Sequence, residues 1–105
     1  MNDNTPKTPW YAKQSPKLGS AYLHFRNVTN RETVLDPKTR ELLMVALANV
    51  LRCPHCVEDH IGRALETGAT KHEITEALLI SAFEAAGTSL SWRKEVFEKL
   101  LGDES

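Results

Sequence analysis

Asp36-Pro37-Lys38-Thr39-Arg40-Glu41-Leu42 opens one helix, and Cys53-Pro54-His55-Cys56-Val57-Glu58-Asp59-His60 opens the next. In each stretch a capping residue is followed by proline at the first helical position, where a missing N–H does no harm. The first opening predicts a helix from Pro37 to about Leu51. Its apolar residues (Leu42, Leu43, Val45, Ala46, Leu47, Val50 and Leu51) wrap more than one face, as in a helix buried on several sides. The second predicts a helix from Pro54, with Cys53 as N-cap and a core stripe of Val57, Ile61, Ala64 and Leu65. Gly68 ends it. Together they make an antiparallel hairpin that turns near residues 52–53 and carries both cysteines of the chain.

The flanks are helical as well. Leu18, Ala21, Tyr22 and Phe25 follow the spacing of a buried stripe, so a helix is expected from Pro16, closing in the polar run 27–33. Thr70-Lys71-His72-Glu73 is a capping box for a further helix. That helix carries two apolar stripes, Ile74, Ala77, Leu78, Ala82 and Ala85 on one side and Leu79, Ile80 and Phe83 on another, and Gly87 is expected to end it. Leu90, Val96, Phe97, Leu100 and Leu101 suggest a last helix, frayed near Gly102. Residues 1–15, with Pro6 and Pro9, read as a flexible, irregular arm in which Trp10 and Tyr11 are candidate anchors. No alternating strand pattern interrupts the series. The expected fold class is all-α: one helical domain over 16–105, a compact bundle of about five helices with short connections.

Composition excludes several roles. The 105 residues carry a formal net charge of −1 with the signs interspersed, so no basic stripe for nucleic acid is present. No apolar run is long enough to span a bilayer, and the polar N-terminus lacks the apolar core of a signal peptide. The expectation is a cytoplasmic protein, without membrane or nucleic-acid partner. In that compartment a close cysteine pair is catalytic or metal-binding more often than structural. Apolar residues on several sides of two helices exceed what a small domain can cover. A second copy of the chain is the economical cover, aided by small residues at Ala82, Ala85, Ala86 and Gly87.

The chemistry concentrates on four side chains. Cys53, Cys56 and His60 stand at i, i+3 and i+7, one stripe on one helix face. Cys56 lies in the first turn, where the helix dipole and free N–H groups favour a thiolate. His60, one turn on, is placed to take the thiol proton or pair with the thiolate. In an antiparallel hairpin Glu41 falls ~6 Å along the axis from His60 and ~12 Å from Cys56, at a rise of ~1.5 Å per residue. Glu41 then polarises His60, and His60 activates Cys56. Helical position alone leaves either cysteine as the attacker, since the cap and the first turn both benefit from the dipole.

Glu41, eleven residues, Cys53-x-x-Cys56, three residues, His60 resembles the signature of the AhpD-like alkylhydroperoxidases, within the carboxymuconolactone decarboxylase family. The resemblance covers roughly residues 20–90. It includes Thr39-Arg40-Glu41-Leu42 and the Gly-Ala-Thr-x-x-Glu-Ile segment at 68–74. It implies an all-helical fold, homo-oligomers (trimers or hexamers) and thiol-dependent reduction of hydroperoxides. It implies that Cys56 is peroxidatic, that Cys53 resolves the sulfenic acid as a disulfide, and that Glu41 and His60 relay the proton. His55 matches a histidine that some members carry between the cysteines. A dithiol or lipoyl-type donor protein is the electron source the resemblance implies, with no bound cofactor. Decarboxylases of the wider family lack the cysteine pair, which argues against that activity.

Other readings are weaker. A zinc site from Cys53, Cys56, His60 and Glu41 lacks a second cysteine pair, and glutamate is an uncommon structural ligand. Haem attachment needs histidine directly after the second cysteine, where Val57 stands. An oligomeric adaptor with a redox-sensitive pair but no turnover is the non-enzymatic alternative. His24 and His72 read as surface residues, and Trp92 as packing.

Overall fold

The computed structural model describes residues 7–102, and among them the chain is all-helical. The helices are α1 (Trp10–Gln14), α2 (Pro16–Arg31), α3 (Pro37–Val50), α4 (Pro54–Glu66), α5 (Lys71–Ser91) and α6 (Lys94–Leu101). The chain divides into two compact units, residues 1–34 and residues 35–105.

In the first unit, residues 10–14 form a short helix where an irregular arm was expected. Proline at position 9 leaves its carbonyl free to accept from the N–H groups of Ala12 and Lys13, and that closes the turn. α1 packs on α2 through Ala12, which is buried against Gly19. A Cβ at Gly19 would run into the Ala12 backbone, so the close approach requires glycine there. Tyr11 meets Trp10 and Tyr22 edge to face. The remainder of the expected arm, through Pro6, lies outside the described residues. The stripe of α2 expected to be buried is open instead: Leu18, Tyr22 and Phe25 are all exposed. Among the described residues of its unit, α2 packs only on the five residues of α1, too short a partner to cover four turns of helix.

The second unit holds the hairpin. α3 packs against both α4 and α5. The core is Val45, Ala64, Ala69 and Ile74, with Leu42, Ile61 and Leu78 against it. The starts of α3, α4 and α5 have the chemistry the sequence predicts, whereas α6 starts at Arg93 without a side-chain cap. Asp36 accepts from the Thr39 N–H, Cys53 Sγ from the Cys56 N–H, and Thr70 and Glu73 cap each other reciprocally. An ion pair of 2.7 Å between Lys38 and Glu73 ties the first turn of α3 to the first turn of α5.

Two expectations change in this unit. Gly87 does not end α5, which runs to Ser91. A glycine stops a helix by taking positive φ, and among the described glycines only Gly68 does so, at 95°. Beyond Gly87 the helix is continued by Ser89 and Ser91, whose hydroxyls donate to carbonyls one turn back. Trp92 is exposed, with the Arg93 guanidinium 5.9 Å over its ring. Six helices therefore stand where about five were expected, α1 being the addition. Much of the apolar surface of α3 and α5 stays open, including Leu43, Leu47, Leu79, Ile80 and Phe83.

Candidate functional site

Cys53 and Cys56 are joined as a disulfide across the first turn of α4, with Cα atoms 5.2 Å apart. The turn that presents them is tight. α3 ends at Val50, α4 begins at Pro54, and Arg52 reverses the chain between them with φ at 56°. The Arg52 N–H donates to the Asn49 carbonyl and the Cys53 N–H to the Ala48 carbonyl, both at 3.1 Å. This is the Schellman pairing that closes a helix through one left-handed residue. Proline at 54 forbids continuing α3 and requires a fresh helix start, so the cysteines sit at an N-terminus by local necessity.

Glu41 and His60 meet directly. Glu41 is only 5 % exposed, and its Oε2 lies 2.7 Å from His60 Nδ1. A buried carboxylate accepts here, so Nδ1–H donates and Nε2 carries the ring's lone pair in the neutral tautomer. His60 remains 19 % exposed, so its ring retains solvent access. Cys56 and His60 are one turn apart on α4 and share a face. The ~6 Å axial offset expected between Glu41 and His60 is spanned by their side chains without an intervening water. His55 lies in the same first turn, exposed. Among the described residues no three His, Cys, Asp or Glu side chains converge in a manner that would hold a metal ion.

A cleft of about 730 Å³ adjoins the disulfide. Its lining includes Cys53, Arg52 and Asn49, with Val50, Val57 and Ala82 among the apolar walls. Asn49 is held in place by Ser81. The Asn49 side-chain amide donates to Ser81 Oγ at 3.0 Å, and Ser81 Oγ donates to the Leu78 carbonyl at 2.8 Å. Neither Arg52 nor this link was picked out from the sequence. The signals were present. A helix that must end by 51 and restart at 54 forces a non-glycine residue into the turn. Ser81 interrupts the apolar run of α5, which points to a buried partner.

Glu73 titrates below the ordinary carboxylate range because Lys38 pairs with it, with the Thr70 N–H adding to the effect. Asp36 is lowered too, chiefly by the Thr39 hydroxyl. Both stand at helix starts that frame the hairpin. No helix among the described residues is long and apolar enough to cross a membrane.

The sequence profile of the carboxymuconolactone decarboxylase family matches residues 16–99. An uncharacterized protein of the cox locus in Paracoccus denitrificans is 33 % identical over 78 residues, which is 74 % of this chain and 70 % of that protein. An uncharacterized protein of Haemophilus influenzae is 40 % identical over 52 residues, half of this chain and 46 % of the other. The crystal structure of a protein from Methanobacterium thermoautotrophicum superposes with a TM-score of 0.70 at 28 % identity, over 83 % of this chain and 95 % of that one.

Proposed function

Because the chain belongs to the carboxymuconolactone decarboxylase family and has an AhpD-like fold, we propose that it is a thiol-dependent peroxidase that reduces hydroperoxides through Cys53 and Cys56. The observation that carries this reading is the 2.7 Å bond between Glu41 Oε2 and His60 Nδ1, one helical turn from Cys56. A buried carboxylate that fixes one ring nitrogen leaves the other as a base, the arrangement that activates a nucleophile at neutral pH.

The cycle has three steps. His60 takes the Cys56 proton, and the thiolate attacks the terminal oxygen of the hydroperoxide. The O–O bond breaks, Cys56 becomes a sulfenic acid, and the departing alkoxide takes the proton back from His60. The Cys53 thiolate then displaces hydroxide from that sulfur, giving water once protonated and the disulfide. An external dithiol restores both thiols by exchange and is itself oxidised. His55 is an exposed auxiliary in the first turn. The open apolar faces of α3 and α5, with Leu47, Ile80 and Phe83, support burial against further copies in a homo-oligomer.

Peroxide consumption with excess dithiol, measured on wild type, Cys56→Ser and Glu41→Gln, tests the reading. Cys56→Ser is expected to abolish turnover. Glu41→Gln should lower kcat/KM about 10²-fold, the scale of a single acid–base contribution. Full activity in Cys56→Ser would sink the scheme. Oxidation of the wild type no faster than that of free cysteine would favour the adaptor without turnover.

A further inference from the structure

The cleft beside the disulfide is asymmetric in a way the cycle above does not use. Its lining includes Cys53 but not Cys56. Arg52 is the one charged side chain among the described residues that line it, and Glu84 lines the adjoining apolar groove instead. The walls are otherwise apolar, apart from the anchored Asn49 amide. Arg52 is also the one non-glycine residue of the described chain held at positive φ. A residue that disfavours this conformation occupies the turn where glycine would serve, and its side chain is what glycine would lack.

We propose that Arg52 is a specificity-determining residue that selects an anionic thiol as the reductant, seated in this cleft and attacking Cys53. The proposal rests on the redox reading of the cysteine pair. In the oxidised protein the incoming thiolate approaches from the cleft and forms a bond to Cys53 Sγ. The Cys53–Cys56 bond breaks, and its electron pair leaves on Cys56. One observation sets that direction: Cys53 is the sulfur-bearing residue on the cleft and Cys56 is not. Cys56, in the first turn of α4, leaves as a thiolate that the helix start can accommodate. A second thiol of the same reductant then attacks the mixed disulfide at its own sulfur. That step releases Cys53 as a thiolate and the reductant as a disulfide, and both protein thiolates take up protons. Arg52 acts on the carboxylate of the reductant by a charge-assisted hydrogen bond, while the apolar walls hold its stem.

The test is stopped-flow reduction of the oxidised full-length protein, with the wild type, Arg52→Gln and Arg52→Lys. The probes are meso-2,3-dimercaptosuccinate, which is anionic, and dithiothreitol, which is neutral. Within each probe the variant-to-wild-type ratio cancels differences in thiol reactivity. Arg52→Gln is expected to slow the anionic dithiol about five- to tenfold and leave dithiothreitol unchanged, with Arg52→Lys in between. Added salt should slow the anionic probe on the wild type and not on Arg52→Gln. Equal losses with both probes, or no loss with either, would overturn the charge role. For the direction of attack, the oxidised protein is treated with 3-mercaptopropionate, alkylated and mapped by mass spectrometry. The probe is expected on Cys53 and the alkyl group on Cys56, and the reverse pattern would overturn the direction. No readout involves peroxide, so a failed peroxidase reading and a failed reductant reading remain distinguishable.

Discussion

The exits of α3 and α4 are the same turn built from different residues. At each, one residue in the left-handed region lets two N–H groups reach back to the helix end: Arg52 and Cys53 to Asn49 and Ala48, Gly68 and Ala69 to Leu65 and Ala64. Gly68 takes φ of 95° without a side chain to object, and a Cβ there would meet no neighbour within 4 Å. Arg52 takes φ of 56° with a long side chain attached. The Gly68 exit leads into a core alanine and a capping box. The Arg52 exit leads into the disulfide and lines the cleft. Backbone strain in this unit thus sits at the turn that leads into the disulfide and is absent from the one that leads into the core, the distribution expected when a side chain at the strained position has a task.

Exchanging the two residues sharpens the comparison most. Gly68→Arg places a side chain where space is open but the backbone is not, so its effect is conformational alone. It is expected to lower stability by about 1–2 kcal/mol, the left-handed penalty for an L-residue, which thermal unfolding reads as a drop in Tm of several degrees. Arg52→Gly relieves a similar strain but adds a more flexible unfolded chain, so a net gain of about 0.5 kcal/mol is expected. Opposite signs uphold the contrast. A loss from Arg52→Gly as large as that from Gly68→Arg would mean that the arginine side chain itself stabilises the turn, and the idea of an uncompensated strain would fail.

The exits also differ in what stands behind them. Asn49, one turn before Cys53, is tied across to α5 through Ser81, which is 7 % exposed. Ser81→Ala removes the acceptor for the Asn49 amide and the donor to Leu78, and should lower stability by about 1 kcal/mol. Urea unfolding of the two single variants and of the double with Asn49→Ala would measure the coupling. Strict additivity would show that the link adds nothing beyond its two ends.

The starts of the helices were legible and the ends were only half so, for one reason. A start is written in local chemistry: Asp36 before Pro37, Cys53 before Pro54, and Thr70 three residues ahead of Glu73. These residues bond within their own turn, and the structure has all three caps. An end is legible when glycine provides it, as at Gly68, and not when arginine is forced into the same role. Gly87 shows the converse, a glycine that keeps helical φ because the chain around it goes on making helix. The meeting of Glu41 with His60 followed from the hairpin register. The Asn49–Ser81 link did not, because it joins residues 32 apart through side chains rather than periodicity. The exposure of Leu18, Tyr22 and Phe25 was hidden for the opposite reason. A periodic stripe says that a face seeks a partner, and it does not say that the same unit supplies one.

The three helix starts give the smallest test and separate pH from redox control. Asp36 caps α3, and its carboxyl titrates below its ordinary value, chiefly through the Thr39 hydroxyl. Glu73 completes the α5 box and is lowered chiefly by Lys38. A carboxylate whose folded-state pKa is depressed contributes stability that is present above its unfolded value and is lost as pH falls through the folded one. Both caps should therefore hold at neutral pH and weaken only once pH passes below the usual carboxylate range. Each carboxylate is solvent-facing, so the effect is modest and shrinks in salt. The α4 start has sulfur in place of a carboxylate, with Cys53 Sγ accepting from the Cys56 N–H at 3.4 Å, so it should respond to reduction and not to acid. Tm measured from pH 7 down to pH 3 should fall less steeply for Asp36→Ala than for the wild type, while reduction with dithiothreitol at pH 7 should leave the difference between those two proteins unchanged. If the acid slope of Asp36→Ala matched that of the wild type, the α3 cap would not be the pH-sensitive start. If reduction altered the gap between them, the α3 and α4 starts would be coupled rather than independently controlled.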